Sequence, residues 1–215
     1  MEVAAEQVIV NRGGRPVLAG VTVRAHAGQS LALVGPSGSG KTTLLNVLGL
    51  LQRTDGGHVK IDGQDATRWT DGQRRRFWQQ HATFVFQDYG LIDDHSVAYN
   101  VVLARLPLLG LRAADVRAVD AVLERVGLCG RAREQVSSLS GGEKQRVGLA
   151  RAMYRQADVI FADEPTASLD RVNRDHVTGF LHGEAARGAT VVIATHDDAL
   201  MRACDTRIDL VAPAV

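Results

Sequence analysis

A short glycine-rich stretch with a single lysine offers the most specific chemistry in this 215-residue sequence. It follows the pattern G-x-x-x-x-G-K-T, which is the spacing of a phosphate-binding P-loop. Glycines let the backbone turn with its N–H groups facing a phosphate, and Lys41 adds a point charge for the β- and γ-phosphates. The Thr42 hydroxyl is positioned to hold Mg²⁺. The predicted nucleotide-binding residues of the loop are Gly35, Pro36, Ser37, Gly38, Ser39, Gly40, Lys41, Thr42 and Thr43.

The segments on either side of the loop distinguish it from an ordinary glycine-rich turn. An apolar run at residues 31–34 precedes the loop, and a run with helical character at residues 44–51 follows it. This order of strand, loop and helix is the context that a P-loop requires. The helix would add unpaired N–H groups and the positive end of its dipole.

Two adjacent carboxylates, Asp163 and Glu164, follow a second apolar run. A carboxylate at the carboxyl end of a central strand faces the crevice in which open α/β sheets bind their ligands. Asp163 is suited to hold Mg²⁺ through water, and Glu164 to orient or deprotonate an attacking water. The alternative is an acidic turn in front of Pro165, which the presence of the P-loop disfavours.

A serine and two glycines open another stretch with helical character. Ser140, Gly141 and Gly142 would combine a hydroxyl, bare N–H groups and a helix dipole, which together suit an anion. Glu143 follows Ser140 by three residues, so a simple capping box explains the same pattern. The residues alone leave both interpretations open.

Composition bounds the remaining function classes. Hydrophobic residues make up 45% of the chain, charged residues 23%, and the net charge is +1, which is typical of a soluble domain and predicts no bulk attraction to nucleic acid. Cys129 and Cys204 lie far apart, which argues against a zinc site or a disulfide framework and favours a reducing cytoplasm. No signal peptide or apolar run of ~20 residues is visible, so we expect any membrane role to come through a partner.

Alternating strand and helix patterns predict an α/β fold of the P-loop NTPase type. We expect a mostly parallel sheet core, an antiparallel N-terminal β part and a helical insert. Predicted strands cover residues 7–10, 17–18, 21–23, 30–34, 58–61, 82–86, 158–163, 189–194 and 206–211. Predicted helices cover residues 70–80, 96–106, 113–126, 142–154, 173–187 and 197–203. We predict one domain, residues 1–215, with an α/β core at 1–88 and 155–215 and a helical subdomain at 89–154.

The order of these parts closely resembles the nucleotide-binding subunit of ATP-binding cassette (ABC) transporters over essentially the full length. Residues 35–43 match the Walker A loop, and residues 159–164 match Walker B. The remaining matches are Gln87 for the Q-loop, residues 139–143 for the ABC signature, Ser168-Leu169-Asp170 for the D-loop and His196 for the switch histidine. A lone histidine is usually structural, but this one follows a strand at the expected place in the series.

The resemblance implies ATP as the nucleotide, Mg²⁺ as its cofactor and hydrolysis as the reaction. It implies catalytic roles for Glu164, His196 and Gln87, and a metal site at Thr42, Gln87 and Asp163. It also implies an isologous homodimer in the ATP-bound state, in which each ATP lies between the P-loop of one subunit and the signature of the other. The signature residues would be Ser140, Gly141, Gly142 and Glu143, and Asp170 would organise the facing site.

Two positions depart from the family pattern. Arg12 occupies the place where family members usually stack an aromatic residue on adenine, and no aromatic residue precedes Trp69. A guanidinium plane also stacks, so we expect nucleotide binding with poor discrimination between ATP and GTP. Gly148 lies inside the helix after the signature, where it costs roughly 1 kcal/mol against alanine.

The segment 86–92, with Asn100 and Val101, is similar to the subgroup that serves macrolide export, lipoprotein release and bacteriocin export. That similarity implies a separate transmembrane permease partner, a subunit held at the inner face of the membrane, and transport outward. The contact would be a groove around residues 89–99, in which residues 93–95 either tune the contact or form a solvated loop. An importer ATPase and an ABC ATPase that signals mechanically through a membrane partner remain alternatives.

Overall fold

The computed structural model describes residues 1–103, 113–167 and 169–211. Within these residues there are nine strands and seven α-helices. The strands are β1 (Val3–Arg12), β2 (Arg15–Ala25), β3 (Ser30–Val34), β4 (Gly56–Ile61), β5 (Gln64–Asp65), β6 (Ala82–Val85), β7 (Val159–Asp163), β8 (Thr190–Ala194) and β9 (Thr206–Asp209). The helices are α1 (Lys41–Leu48), α2 (Asp71–Gln80), α3 (Val97–Val102), α4 (Ala113–Arg125), α5 (Gly141–Arg155), α6 (Arg171–Ala186) and α7 (Asp198–Ala203).

A five-stranded sheet in the order β6-β7-β8-β3-β9 forms the core, and each of its neighbouring pairs is parallel. Every residue of β7 and β8 is buried, as expected for apolar strands covered by helices on both faces. All carboxyl ends of a parallel sheet lie at the same edge. The predicted parallel core is therefore confirmed, and the segments after β3, β6, β7 and β8 meet at that edge.

A second sheet, in the order β2-β1-β4-β5, is antiparallel throughout. Its first hairpin turns at Gly13 and Gly14, whose φ angles of 58° and 77° are the positive values that a tight two-residue turn needs. The predicted N-terminal β part is confirmed, although β1 and β2 are longer than the short runs expected from the sequence. The two predicted strands at 17–18 and 21–23 form one strand, because β2 pairs with β1 along its length.

The two faces of the parallel sheet are covered by different apolar clusters. On one face, Val159 and Phe161 pack with α1 and the antiparallel sheet. On the other face, Ile160 and Ala162 pack with α3, α4, α5 and α6. Alternate residues of β7 thus point to opposite sides, so the P-loop helix lies between the two sheets and the helical insert lies beyond the parallel one.

The helices of the insert are confirmed where the structure describes them. The prediction for 96–106 begins correctly, since Ser96 caps α3 with its hydroxyl, but residues 104–112 lie outside the described residues. The division into a core and a helical subdomain at 89–154 stays a prediction. None of the helices in the described ranges is long and apolar enough to cross a membrane.

Candidate active site

The carboxyl edge of the parallel sheet gathers the residues singled out by the sequence. Gln87 follows β6, Glu164 follows β7, His196 follows β8, and the glycine loop follows β3. They line one cleft of about 670 Å³. The complete lining is Arg12, Val17, Gly35, Pro36, Ser37, Gly38, Gly40, Lys41, Thr42, Thr43, Gln87, Glu164 and His196.

The glycine loop is shaped by close packing beneath it. A β-carbon at Gly35 would lie 2.6 Å from Ser39 Oγ and would overlap the carbonyl oxygen of Leu210, so no larger residue fits there. Gly40 precedes α1 in the left-handed region, and no side chain caps the helix. Among the described residues the first N–H groups of α1 therefore have no side-chain partner, and Lys41, Thr42 and Thr43 line the cleft, as phosphate binding requires.

The lysine is tied across the loop. Lys41 Nζ donates hydrogen bonds to the carbonyl oxygens of Gly35 at 2.8 Å and Pro36 at 3.1 Å. Both acceptors are neutral, so the charge of the ammonium group is not cancelled by a carboxylate. An anion in the cleft would meet this charge together with the N–H groups of the loop.

The hydroxyl of Thr42, a residue that lines the cleft, contacts the carboxylate of Asp163. Thr42 Oγ1 donates to Asp163 Oδ1 at 3.1 Å, although the two residues lie 121 positions apart. Burial raises the pKa of Asp163 above its usual value, and the nearby charge of Glu164 adds to that effect. Two oxygen ligands beside excess negative charge are the kind of environment that suits a hard divalent cation.

Glu164 and His196 are in direct contact. The Oε1 atom of Glu164 lies 2.7 Å from Nδ1 of His196. The other carboxylate oxygen accepts longer hydrogen bonds from Thr195 Oγ1 at 3.3 Å and from the His196 N–H at 3.4 Å. The Glu164 side chain is 12% exposed and that of His196 is 75% exposed, so the ring stands at the open side of the cleft.

The Glu164 backbone is unusual. Its φ angle is +47°, in the left-handed region that a non-glycine residue rarely adopts. The Glu164 N–H donates to the carbonyl oxygen of Ala194 at 2.8 Å, which joins the end of β7 to the end of β8. Backbone strain of this kind persists where the surroundings hold it, and it is concentrated at functional sites.

A capping box, one of the two interpretations that the sequence allowed, is present at Ser140. Glu143 Oε2 accepts from the Ser140 N–H at 2.7 Å and from its hydroxyl at 2.8 Å, and Arg131 contacts the other oxygen. These contacts, led by the Ser140 N–H, lower the pKa of Glu143 to about 2. Neither Ser140, Gly141 nor Gly142 lines the P-loop cleft of the same chain.

Asp170 caps α6 rather than lining the cleft. Its carboxylate accepts from the Asn173 N–H at 2.9 Å, and this contact contributes most to lowering the pKa of Asp170. Asn173 also accepts from Arg146 of α5 at 3.3 Å, so the D-loop region is tied to the helix that begins at the signature. Ser168 lies outside the described residues.

Arg12 ends β1 and lines the P-loop cleft together with Val17 of β2. Within the described ranges, Arg12 has no hydrogen bond or ion pair through its guanidinium, so the group is available to a ligand. Arg15 pairs with Arg12 across the hairpin but does not line the cleft. Val17, which lines the cleft, and Thr195, which donates to Glu164, also belong to the site, although neither lies in a recognisable sequence motif.

Known proteins match this chain over most of its length. A family model described as ABC transporter matches residues 18–167. The lipoprotein-releasing system ATP-binding protein LolD of Bacteroides fragilis is 38% identical over 208 residues, which are 96% of each chain. The macrolide export ATP-binding/permease protein MacB of Syntrophobacter fumaroxidans is 38% identical over 197 residues, which are 90% of this chain and 27% of that protein.

Solved structures agree with this result. The dimeric structure of MJ0796, a bacterial ABC transporter cassette, superposes with a TM-score of 0.89 at 28% identity, covering 97% of this chain and 94% of that one. A dimeric post-hydrolysis state of the same cassette bound to ADP and Pi has a TM-score of 0.88 at 29% identity, with the same coverage.

Proposed function

Because this chain belongs to the ABC transporter family and is an ATP-binding subunit with that family's ATPase fold, we propose that it powers an exporter through a separate membrane permease. The observation that carries the proposal is the single cleft shared by the P-loop, Gln87, Glu164 and His196. Full-length similarity to LolD, a protein named for lipoprotein release, supports the exporter class. The subunit would lie at the cytoplasmic face of the membrane through its permease.

Residues 35–43 would bind the phosphates of ATP with their N–H groups and with Lys41. Thr42, Asp163 and Gln87 would hold Mg²⁺, and the hydrogen bond between Thr42 and Asp163 supports this because it aligns two oxygen ligands. When bound, Mg²⁺ would neutralise charge that develops on the transferred phosphoryl group. Arg12 would lie at the opposite end of the cleft, toward the adenine ring of ATP.

Glu164 would accept the proton of the attacking water. Three hydrogen-bonding groups hold its carboxylate in one orientation. The remaining lone pairs of the carboxylate can therefore accept a proton from a limited range of directions. His196 Nδ1 donates to the ionised carboxylate in this arrangement, which fixes the ring and points its Nε2 atom away from Glu164. His196 would thus position the base and contact the γ-phosphate from the open side of the cleft.

The signature residues would act on a second copy of the chain. Ser140, Gly141 and Gly142 do not line the P-loop cleft of their own chain. Ser140 caps α5, and Gly141 and Gly142 are the first two residues of that helix. A head-to-tail homodimer brings each signature to the partner's ATP and completes two sites. The dimeric form of the MJ0796 cassette supports this assembly. Asp170 would contact the facing site.

A second cleft would receive the permease. It measures about 830 Å³, shares Thr42 and Gln87 with the nucleotide cleft, and is also lined by Asp163. Leu51, which is 39% exposed, and Tyr89 also line it. A short cytoplasmic helix of the permease seated here would touch Gln87, so its movement and the state of the γ-phosphate would be linked.

The test uses Glu164→Gln with MgATP. We expect the variant to bind ATP, to lose turnover and to accumulate as a dimer, measured by phosphate release and by size-exclusion chromatography with light scattering. A further Ser140→Phe substitution should weaken that dimer, because a bulky ring would block the partner's γ-phosphate. Glu124→Gln, on an exposed position of α4, is the matched control and should behave as wild type. Normal turnover by Glu164→Gln would overturn the assignment.

A further inference from the structure

Tyr89 joins the Q-loop to the first turn of the signature helix. It lies two residues after Gln87, and its hydroxyl fills the space above Gly141. A β-carbon at Gly141 would be 2.8 Å from Tyr89 Oη and 3.8 Å from Cζ, so the hydroxyl makes the closest approach. Gly141 is the first residue of α5, directly after the serine that caps it.

The backbone of Tyr89 is held on the same helix. Arg151 of α5 donates to the carbonyl oxygens of Tyr89 at 3.1 Å and of Gly90 at 2.7 Å. Arg151 is buried, and burial lowers its pKa to about 10. Because the side chain is shielded from solvent, the two carbonyl groups take the place of water as its hydrogen-bond partners. Gly148 lies one turn earlier, and a β-carbon there would be 3.7 Å from the Tyr89 carbonyl oxygen, which is an ordinary contact.

The Tyr89 conformation is constrained. Its φ angle is +67°, which is rare for a bulky residue, and Gly90 follows with a φ of +54°. A β-carbon at Gly90 would lie 2.5 Å from the ring of Phe86. The segment from Phe86 to Gly90 is therefore folded tightly between β6 and α5, and a shift at one end is transmitted rather than absorbed.

We propose that Tyr89 is a positioning residue that couples the two ATP sites of the dimer. The inference rests on the proposed function, because it needs two composite sites. Within one subunit, Gln87 belongs to the ATP on its own P-loop, whereas Gly141 serves the ATP of the partner. Tyr89 contacts Gly141 and lies two residues after Gln87. The nucleotide state of a subunit's own site therefore moves the signature turn that serves the partner's site. The coupling is reciprocal by symmetry.

The test is the steady-state ATP dependence of hydrolysis by Tyr89→Phe. Phenylalanine keeps the ring and lacks the hydroxyl. The side chain at position 89 would then lie farther from Gly141, and the dispersion attraction between the two would be weaker. With two coupled sites, we expect a wild-type Hill coefficient above 1, and its upper limit is about 2. We expect Tyr89→Phe to lower it to about 1 while turnover at saturating ATP falls less than about threefold. A packing role alone would lower stability or turnover and leave the coefficient unchanged.

Tyr154→Phe is the matched control, since it removes a tyrosine hydroxyl at the other end of α5, where that hydroxyl donates to Asp115 instead. It should keep the wild-type coefficient. Gly141→Ala should lower the coefficient by displacing the Tyr89 ring, and it should add no further loss in the Tyr89→Phe background.

An unchanged Hill coefficient in Tyr89→Phe would overturn the inference, and so would a wild-type coefficient of about 1, because no coupling would exist to transmit. Failure of the proposed function would look different, since Glu164→Gln would then form no ATP-dependent dimer.

Discussion

Glu164 Oε1 lies 2.7 Å from Nδ1 of His196, and these two residues follow adjacent parallel strands, β7 and β8. The contact joins a strained glutamate backbone to an exposed ring, since Glu164 has a φ angle of +47° and His196 is 75% exposed. The contact is a hydrogen bond in the tautomer that carries the proton on Nδ1, because a carboxylate oxygen accepts. The pair is thus a single unit in which the histidine restricts the carboxylate.

His196→Ala should reduce turnover far more than ATP binding. Removing the ring takes away the contact with Glu164 Oε1 and the imidazole at the open side of the cleft. We therefore expect kcat to fall about 10²-fold with little change in the dissociation constant for ATP. Steady-state kinetics and equilibrium binding measure the two quantities. His176→Ala, at an exposed position of α6, is the control; equal losses in both variants would contradict the prediction.

Asp163→Asn should stabilise the chain while abolishing turnover with Mg²⁺. Burial raises the pKa of Asp163, so the folded chain binds its proton more tightly than the unfolded chain does. Stability then falls as pH rises from the usual carboxyl pKa through the raised one, and ionised Asp163 is a net cost at neutral pH. In the absence of nucleotide, we expect the variant to have a higher unfolding temperature than wild type. Each kcal/mol added to the free energy of unfolding should raise that temperature by about 2–4 °C.

The Asp163→Asn comparison is made by calorimetry at neutral pH and again at acidic pH. Asparagine keeps an acceptor for the Thr42 hydroxyl, so the gain reports charge rather than a lost hydrogen bond. The difference between the proteins should shrink in acid, where wild-type Asp163 is protonated. A lower midpoint for the variant at neutral pH would contradict the prediction.

Wild-type protein should use GTP about as well as ATP. Arg12 lines the nucleotide cleft and has no side-chain partner in the described ranges, and a guanidinium stacks on either purine. Arg12→Tyr should tighten the binding of both nucleotides by up to about tenfold, because an aromatic face stacks more strongly on a base. Arg15→Tyr, across the same hairpin turn but outside the cleft, is the control. A strong preference of the wild-type protein for ATP over GTP in hydrolysis assays would contradict the prediction.

Glu143→Gln should cost stability at neutral pH and cost less in acid. The pKa of Glu143 is lowered to about 2, first by the Ser140 N–H and then by the Ser140 hydroxyl and Arg131. Charged Glu143 therefore contributes stability above its usual pKa of 4.5, and that contribution is lost as pH falls toward 2. We expect a difference of about 1–2 kcal/mol near pH 7 that narrows by about pH 3.

The Glu143→Gln measurement is urea unfolding at several pH values. Glutamine still caps the helix, so the pH-dependent part isolates the carboxylate. A difference between wild type and variant that is constant across the acid range would show that the charge of Glu143 contributes nothing.

Local chemistry made much of this protein predictable. Three features each lie within a few consecutive residues and depend on the local backbone conformation. They are the glycine loop, the acidic pair after β7 and the capping box at Ser140. The same holds for most strands and helices, because their buried faces follow the period of the element. Family resemblance then ordered these parts into an ABC ATPase, which the fold and the comparisons confirm. The roles of individual site residues stay predictions.

The tertiary structure decided which of these parts touch. Alternation of strands and helices does not specify the order β6-β7-β8-β3-β9, and it is this order that brings Glu164 against His196 and Thr42 against Asp163. The approach of Tyr89 to Gly141 likewise depends on how α5 packs beneath β6. Such contacts join residues that are distant along the chain, so their energies follow from packing of the whole core and not from any short pattern.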